Sequence, residues 1–297
     1  MTTEAPWRVE TLDIDLGVAS ASVAMNAGPR ILSYSTPNGV DFLASLPDLA
    51  IQDAPDGPYR FLGGHRLWRA PEVPSITYQR DDTAVAISQQ DHGVELSGAA
   101  DRDGVTKRVS IRQSDEYTYI RHTLVNEGSR PIRTAPWAIT QMALGGIAVL
   151  PLADEPTDSY ALQPNRNLVL WPYTDLCAPE FGFDPGRITV EGTTRESVAK
   201  IGQPNRRGWI AYVLGSQVFV KWAKIHDDDA AYADLGASSQ CYRNEHFVEL
   251  ETLGPLVDLQ PGQEATHVEA WSIVELADRS LDETLESLPT HPGGQPM

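Results

Sequence analysis

An all-β fold, a single large antiparallel β-sandwich with few helices, is what the 297-residue sequence predicts. Three observations carry the prediction. Segment after segment alternates at period two and is rich in Val, Ile, Thr and Tyr. The 22 prolines and 23 glycines fall mostly between those segments, where turns belong. Apolar residues at helical spacing are scarce.

The elements follow in order. "ASVAMN" alternates small and apolar residues and breaks at "NAGPR"; "RILSYS" follows and breaks at "TPNG". "TAVAISQ", "GVELSGA", "KRVSIRQ" and "YTYIRHTLVNEG" each read as a strand closed by turn residues. "APWAITQM" comes next. "GWIAYVLGSQVFVKWA" reads as two strands about a Gly-Ser turn, and "HFVELETLG" and "THVEAWSIVEL" close the series. One helix is expected at "RSLDETLESL", where Ser280 can cap the first turn and the leucines recur at helical spacing. No composition shift marks a linker and no fixed period repeats. One domain is therefore expected over residues 1–297, with a poorly ordered tail from about 289.

Composition narrows the function. Acidic residues outnumber basic ones 41 to 23, a formal charge of -18, and such a surface repels nucleic acid and anionic lipid. No apolar run is long enough to span a bilayer, and the N-terminus lacks a signal-like apolar core, so the expected location is the cytoplasm. Cys177 and Cys241 have no CxxC spacing; a disulfide between them stays open, and two buried free thiols are the simpler expectation. No phosphate loop, dinucleotide fingerprint or nucleophile elbow is present, and no cofactor is expected. "HDDDAAYAD", His226 to Asp234, reads as a solvated loop, and His246 with Glu249 lacks a zinc-site companion, so no metal site is expected.

Three stretches hold residues suited to chemistry. "RFLGGHRLWRAPE", Arg60 to Glu72, neither alternates like a strand nor shows a helical stripe. It is an ordinary loop or a site where backbone and side chains meet a polar ligand. In "HFVELETLGP", alternation puts Phe247, Glu249 and Glu251 on one face and Val248, Leu250 and Thr252 on the other. Two carboxyls on one face can raise one another's pKa and prepare an acid or base; a solvated outer face gives the same pattern. In "APWAITQM", Trp137, Ile139 and Gln141 share a face. A Trp beside a Gln suits a sugar, the ring stacking and the amide taking hydroxyls, or it is a core Trp with an edge Gln.

Together these stretches resemble the galactose mutarotase-like (aldose 1-epimerase-like) group, in a divergent bacterial branch. "NAGPRILSYS" is similar to that group's early "GARI" strand, "FLGGHRLW" to its Gly-Gly entry to the sugar cleft, and "LVNEGSRPIRTAPWAIT" to its Asn-plus-Pro segment. "FVELETLGPLVDLQPGQEATHVEAW" resembles the "LET" strand that carries the general base, with the later "PG" turn and final strand. The resemblance runs from about Asn26 to Trp271. It implies a large β-sandwich with a carbohydrate cleft on one sheet and Glu251 as base, with Glu249 as the alternative on the same face. One departure is plain: the group's second-strand histidine has no counterpart in "PWAITQM".

In that frame Gly63 and Gly64 are expected to let the backbone approach a ligand, His65 to act as the acid, and Arg66 to clamp a hydroxyl or carboxylate. Trp68 is expected to stack on a ring, Glu72 to hold Arg66 or Arg69, and Arg30, Trp137 and Gln141 to bind substrate. The expected activity is epimerisation at the anomeric centre of a small sugar. Two alternatives remain: a non-catalytic carbohydrate-binding module, and isomerase, lyase or cyclase chemistry on a small carbonyl compound, where Tyr242 lies close by.

Overall fold

Period-two alternation becomes two antiparallel sheets with one apolar core between them. The computed structural model describes residues 7–36, 39–156, 158–224, 226, 230–289 and 292. One sheet runs, in spatial order, Thr11–Asp15, Ser20–Ala24, Arg30–Ser35, Tyr59–Ala70, Ile132–Met142, Val248–Leu253, Ser239–Arg243, Ala199–Gln203 and Val169–Leu170. The other runs Phe181–Phe183, Arg187–Glu191, Ile147–Pro151, Trp209–Leu214, Gln217–Ala223, Glu264–Glu275, Tyr117–Asn126, Val105–Ser114, Gly93–Ser97 and Ala86–Gln90. The core takes one face of each sheet: Ile31, Leu67, Met142, Val248 and Leu250 from the first, and Val109, Ile120, Ile210, Phe219 and Trp271 from the second. Trp271 sits edge-on to Tyr34, Phe219 and His65. The all-β sandwich is thus the observed fold. The expected helix forms at Leu281–Glu286, with Ser280 and Glu283 making a reciprocal capping box. Among the described residues no helix is long and apolar enough to cross a membrane.

Several expectations need correction. "RFLGGHRLWRA" is not a loop: it lies within the twelve-residue strand Tyr59–Ala70, near the middle of its sheet. That strand is buried on both faces from Leu62 to Trp68, so no polar alternation marks it. Its two glycines face neighbouring backbone. Both have positive φ, and a Cβ would lie 1.8 Å from the Ala44 carbonyl oxygen at Gly63 and 2.0 Å from that of Ile31 at Gly64. They let neighbouring chain segments approach. Both cysteines are free, Cys241 buried as expected and Cys177 exposed. Asp227 to Asp229 of the acidic loop, and most of the tail beyond 289, lie outside the described residues.

Candidate functional site

The outer face of the first sheet carries a row of polar residues where an apolar or solvated face is the usual outcome. Strand register sets the row. Gln141 lies opposite Glu249, Glu249 opposite Tyr242, and Tyr242 opposite Lys200. One pair along, Arg66 lies opposite Ile139, Ile139 opposite Glu251, and Glu251 opposite Gln240. Phe247, Glu249 and Glu251 share this face, as do Trp137, Ile139 and Gln141, in agreement with the alternation in the sequence.

Each carboxyl has one anchored oxygen. Glu249 Oε1 accepts from Arg66 Nη2 at 3.0 Å and from Gln141 Nε2 at 3.0 Å. Glu251 Oε2 accepts from Lys200 Nζ at 2.8 Å and from Trp137 Nε1 at 2.7 Å, and its Oε1 is buried without a partner. Burial raises Glu249 to about 7; Arg66 opposes the rise and the charge of Glu251 adds to it. Arg66 and Lys200 are themselves held over indoles. The Arg66 guanidinium carbon lies 4.2 Å from the Trp68 ring centroid, and Lys200 Nζ lies 4.7 Å from that of Trp137 and 4.8 Å from that of Trp171.

Partly exposed rings border this floor. Tyr173 is 47% exposed, yet burial raises its hydroxyl, with smaller contributions from Tyr242, Glu251, Glu72 and Glu249. Burial likewise lifts Tyr242 to about 12. Tyr78 donates to Glu72 Oε1 at 2.6 Å. Four buried residues of the floor carry unpartnered polar atoms: Arg66 Nε and Nη1, Gln141 Oε1, Gln240 Oε1 and Glu251 Oε1. Each such atom costs about 1–3 kcal/mol if nothing meets it. A groove on another part of the surface contrasts with it. This groove of about 540 Å³ has three arginines, all engaged: Arg166 with the Ala153 carbonyl, Arg187 with Asp184 and Asp282, and Arg207 with Asp154.

The structure brings Glu249, Glu251, Arg66, Trp68, Trp137 and Gln141 together, sets Arg30 opposite Arg66 in the register and Glu72 at the border with Tyr78, and turns His65 away. His65 lies on the opposite face of the sheet, fully buried in the core, because the residues flanking Arg66 point inward. The expectation that His65 is the acid partner of Glu251 is therefore corrected: the sheet lies between them. Arg30 is fully buried and engaged by Asp81, the Tyr59 hydroxyl and the Phe61 carbonyl. Glu72 holds Tyr78 and neither arginine; Arg69 instead pairs with Asp101 and Asp103. Trp68 and Trp137 are buried, each with a cation over its ring, and do not present an open stacking surface. Sequence reasoning missed Lys200, Gln240 and Tyr173. Lys200 had one signal, a lone lysine inside the apolar run "VAKIG".

Beneath the floor runs a second polar cluster, wholly inside the core. Its hydrogen bonds fix the tautomers. His122 Nδ1 donates to the His267 carbonyl at 3.0 Å, so its Nε2 accepts from His65 Nε2 at 2.7 Å. His65 Nδ1 then accepts from Thr140 Oγ1 at 2.9 Å, and Thr140 accepts from Lys221 Nζ at 2.9 Å. Lys221 also donates to the Leu250 carbonyl and pairs with Glu269 at 2.9 Å. Burial drives His65 well below its usual value, and His122 and His267 down to about 3. Ligand atoms of His65, His122 and Glu269 lie within 4.8 Å of one another, a donor set that suits a transition metal. Here the two imidazoles face each other across a hydrogen bond, and the Lys221 ammonium supplies the local positive charge.

No protein-family model matches the sequence, and no curated protein matches it. Solved structures do share the fold. A TPR-domain containing protein from Parabacteroides distasonis ATCC 8503 superposes with a TM-score of 0.67 at 13% identity, covering 98% of this chain and 50% of that one. This chain thus spans about half the length of that protein. A galactose mutarotase-like protein from Lactobacillus casei ATCC 334 gives a TM-score of 0.57 at 10% identity, covering 89% of this chain and 100% of that one. A candidate aldose 1-epimerase from Escherichia coli K12 gives 0.57 at 9% identity, covering 91% and 100%. At such identities the likeness concerns the fold, which is that of galactose mutarotase-like proteins.

Proposed function

We propose that the protein interconverts the anomers of a reducing sugar by acid-base chemistry, with Glu251 as base and Glu249 as acid. One observation carries the reading: two carboxyls share one face, each held by one oxygen and each in a different setting. Glu251 is paired with an ammonium. Glu249 is a carboxyl that burial brings to about 7, where it exchanges protons near neutrality.

In this mechanism Glu251 Oε1 takes the proton from the anomeric hydroxyl. That oxygen's electron pair forms the carbonyl while the bond from C1 to the ring oxygen breaks. Glu249 gives its proton to the ring oxygen as the pair arrives there. The aldehyde carbon turns, and the same two groups reclose the ring with roles reversed. Arg66 and Gln141 orient Glu249, and Lys200 and Trp137 orient Glu251.

Exchange NMR of anomer interconversion, over a panel of reducing sugars, tests the reading. Wild type should accelerate exchange, and Glu251→Gln and Glu249→Gln should each lower kcat/KM on the order of 10²- to 10⁴-fold. The wild-type rate should also fall as pH rises through about 7, where Glu249 loses its proton, and Glu249→Gln should lack that limb. Equal exchange in wild type and Glu251→Gln would rule the mechanism out.

A further inference from the structure

We infer that a pocket beside the strand Tyr59–Ala70 binds a compact oxyanion, of the size of phosphate, through the ammonium of Lys107. The pocket forms where a strand pairing stops. Arg30–Ser35 meets Tyr59–Ala70 only at Arg30 with Arg66 and Ile31 with His65. Before Arg30 the chain turns off, and Gly28 donates its N–H to the Asp81 carbonyl at 3.0 Å. The gap beside Leu67 encloses about 110 Å³, lined by Arg66, Gln79, Arg80, Asp81, Asp101 and Lys107. Glu249 and Glu251 are not among its walls, so occupancy here does not depend on the reaction proposed above.

Lys107 gives the pocket its chemistry. Val105 and Val109, two residues to either side on the strand Val105–Ser114, belong to the core, so the lysine stem runs inward. The charges acting on its ammonium are Asp81, Asp101, Arg69 and Arg30, and the first two are walls of the pocket. Both aspartates are already engaged. Asp81 Oδ2 accepts from Arg30 Nη2 at 2.7 Å, and Asp101 Oδ2 from Arg69 Nη1 at 2.6 Å. Asp101 Oδ1 accepts from the N–H groups of Asp103 and Val105, both at 3.0 Å. Arg80 is matched with Asp82. Among the described residues no ion pair or hydrogen bond engages Lys107 Nζ. Burial holds the lysine below its ordinary pKa. Gln79 Oε1 takes the Arg102 N–H at 2.9 Å, which leaves the amide hydrogens of Gln79 to donate. These unmet groups all lack lone pairs and negative charge, and an oxyanion brings both. A cation is repelled by the ammonium, and a neutral hydroxyl leaves it uncompensated. One water takes about 30 Å³ of liquid, so 110 Å³ admits an ion of about five heavy atoms and no sugar ring.

Calorimetric titration with sodium phosphate, sulfate and acetate, at constant ionic strength in chloride, tests this without reference to turnover. Wild type should bind at least one of them saturably, and its Tm should rise with that anion's concentration. Lys107→Met keeps the length of the side chain and removes the charge. It should weaken binding on the order of 10- to 100-fold. It should also melt in chloride at or above the wild-type temperature, because a buried ammonium without a contact partner is gone. Arg80→Gln, on the more open wall, should weaken binding by a smaller factor and leave the fold intact. Tighter phosphate and sulfate would identify a tetrahedral ion, and tighter acetate a carboxylate; both support the site. Three outcomes overturn it. No saturable binding of any of the three would mean that water alone meets the ammonium. Equal affinity in wild type and Lys107→Met would mean an adventitious ion only. A Lys107→Met protein that melts well below wild type would mean that the ammonium already has its counter-charge.

Discussion

At the residue scale, the site is governed by charges taken out of water in pairs. Glu251 is fully buried, and Lys200 is the ammonium that compensates it. Removing one member of such a pair is costlier than removing both, because the survivor stays desolvated and alone. Lys200→Met should therefore cost about 3–5 kcal/mol of unfolding free energy in urea. The double variant Lys200→Met with Glu251→Gln should recover most of it. A single variant within about 1 kcal/mol of wild type would show that the pair does not hold this face together.

At the element scale, the strand Tyr59–Ala70 explains both what the sequence disclosed and what it hid. Strands with one face partly open to water alternate visibly, and "GVELS" or the first half of Glu264–Glu275 could be read directly. The same logic placed Glu249 with Glu251 and Trp137 with Gln141. Tyr59–Ala70 is covered on both faces through its centre and carries Gly63 and Gly64, so its polarity follows no period. Without its register, nothing in the sequence told which way His65 and Arg66 point. Lys200 was hidden for a related reason: the five-residue strand Ala199–Gln203 is wholly buried. The glycines give a test of the element. Gly64→Ala sets a Cβ against the Ile31 carbonyl, whereas at Gly145, also with positive φ, nothing lies within 4 Å. Thermal melts should show Gly145→Ala losing about 1–2 kcal/mol from the backbone conformation alone and Gly64→Ala losing clearly more. Equal losses would mean that the strands can part at no cost.

At the scale of the whole molecule, the interior cluster couples stability to pH. His122 and His267 fall to about 3 in the folded protein, and His65 falls well below 6.5, the ordinary histidine value. Between pH 6.5 and about 3 the unfolded chain therefore holds more protons at these sites. Their contribution is complete above pH 6.5 and is lost as pH falls through that window. Glu249 has the opposite sign. It is raised from 4.5 to about 7, so its contribution is complete below pH 4.5 and is lost as pH rises through about 7. Three imidazoles outweigh one carboxyl, and below pH 6.5 the net slope is positive. Scanning calorimetry should show Tm climbing from pH 4 to 6.5 and levelling off above it. A flat or falling Tm over that interval would mean that the imidazoles are already charged in the core.

The cations resting on Trp68 and Trp137 have an optical consequence. An excited indole shifts electron density across its two rings, and a fixed charge beside the ring sets the colour of its emission. Arg66 and Lys200 are such charges, and each is tied to a carboxyl of the site. Any molecule that draws either cation from its ring retunes that fluorophore. The floor is thus wired to its own light source, and occupancy can be followed in the unlabelled protein.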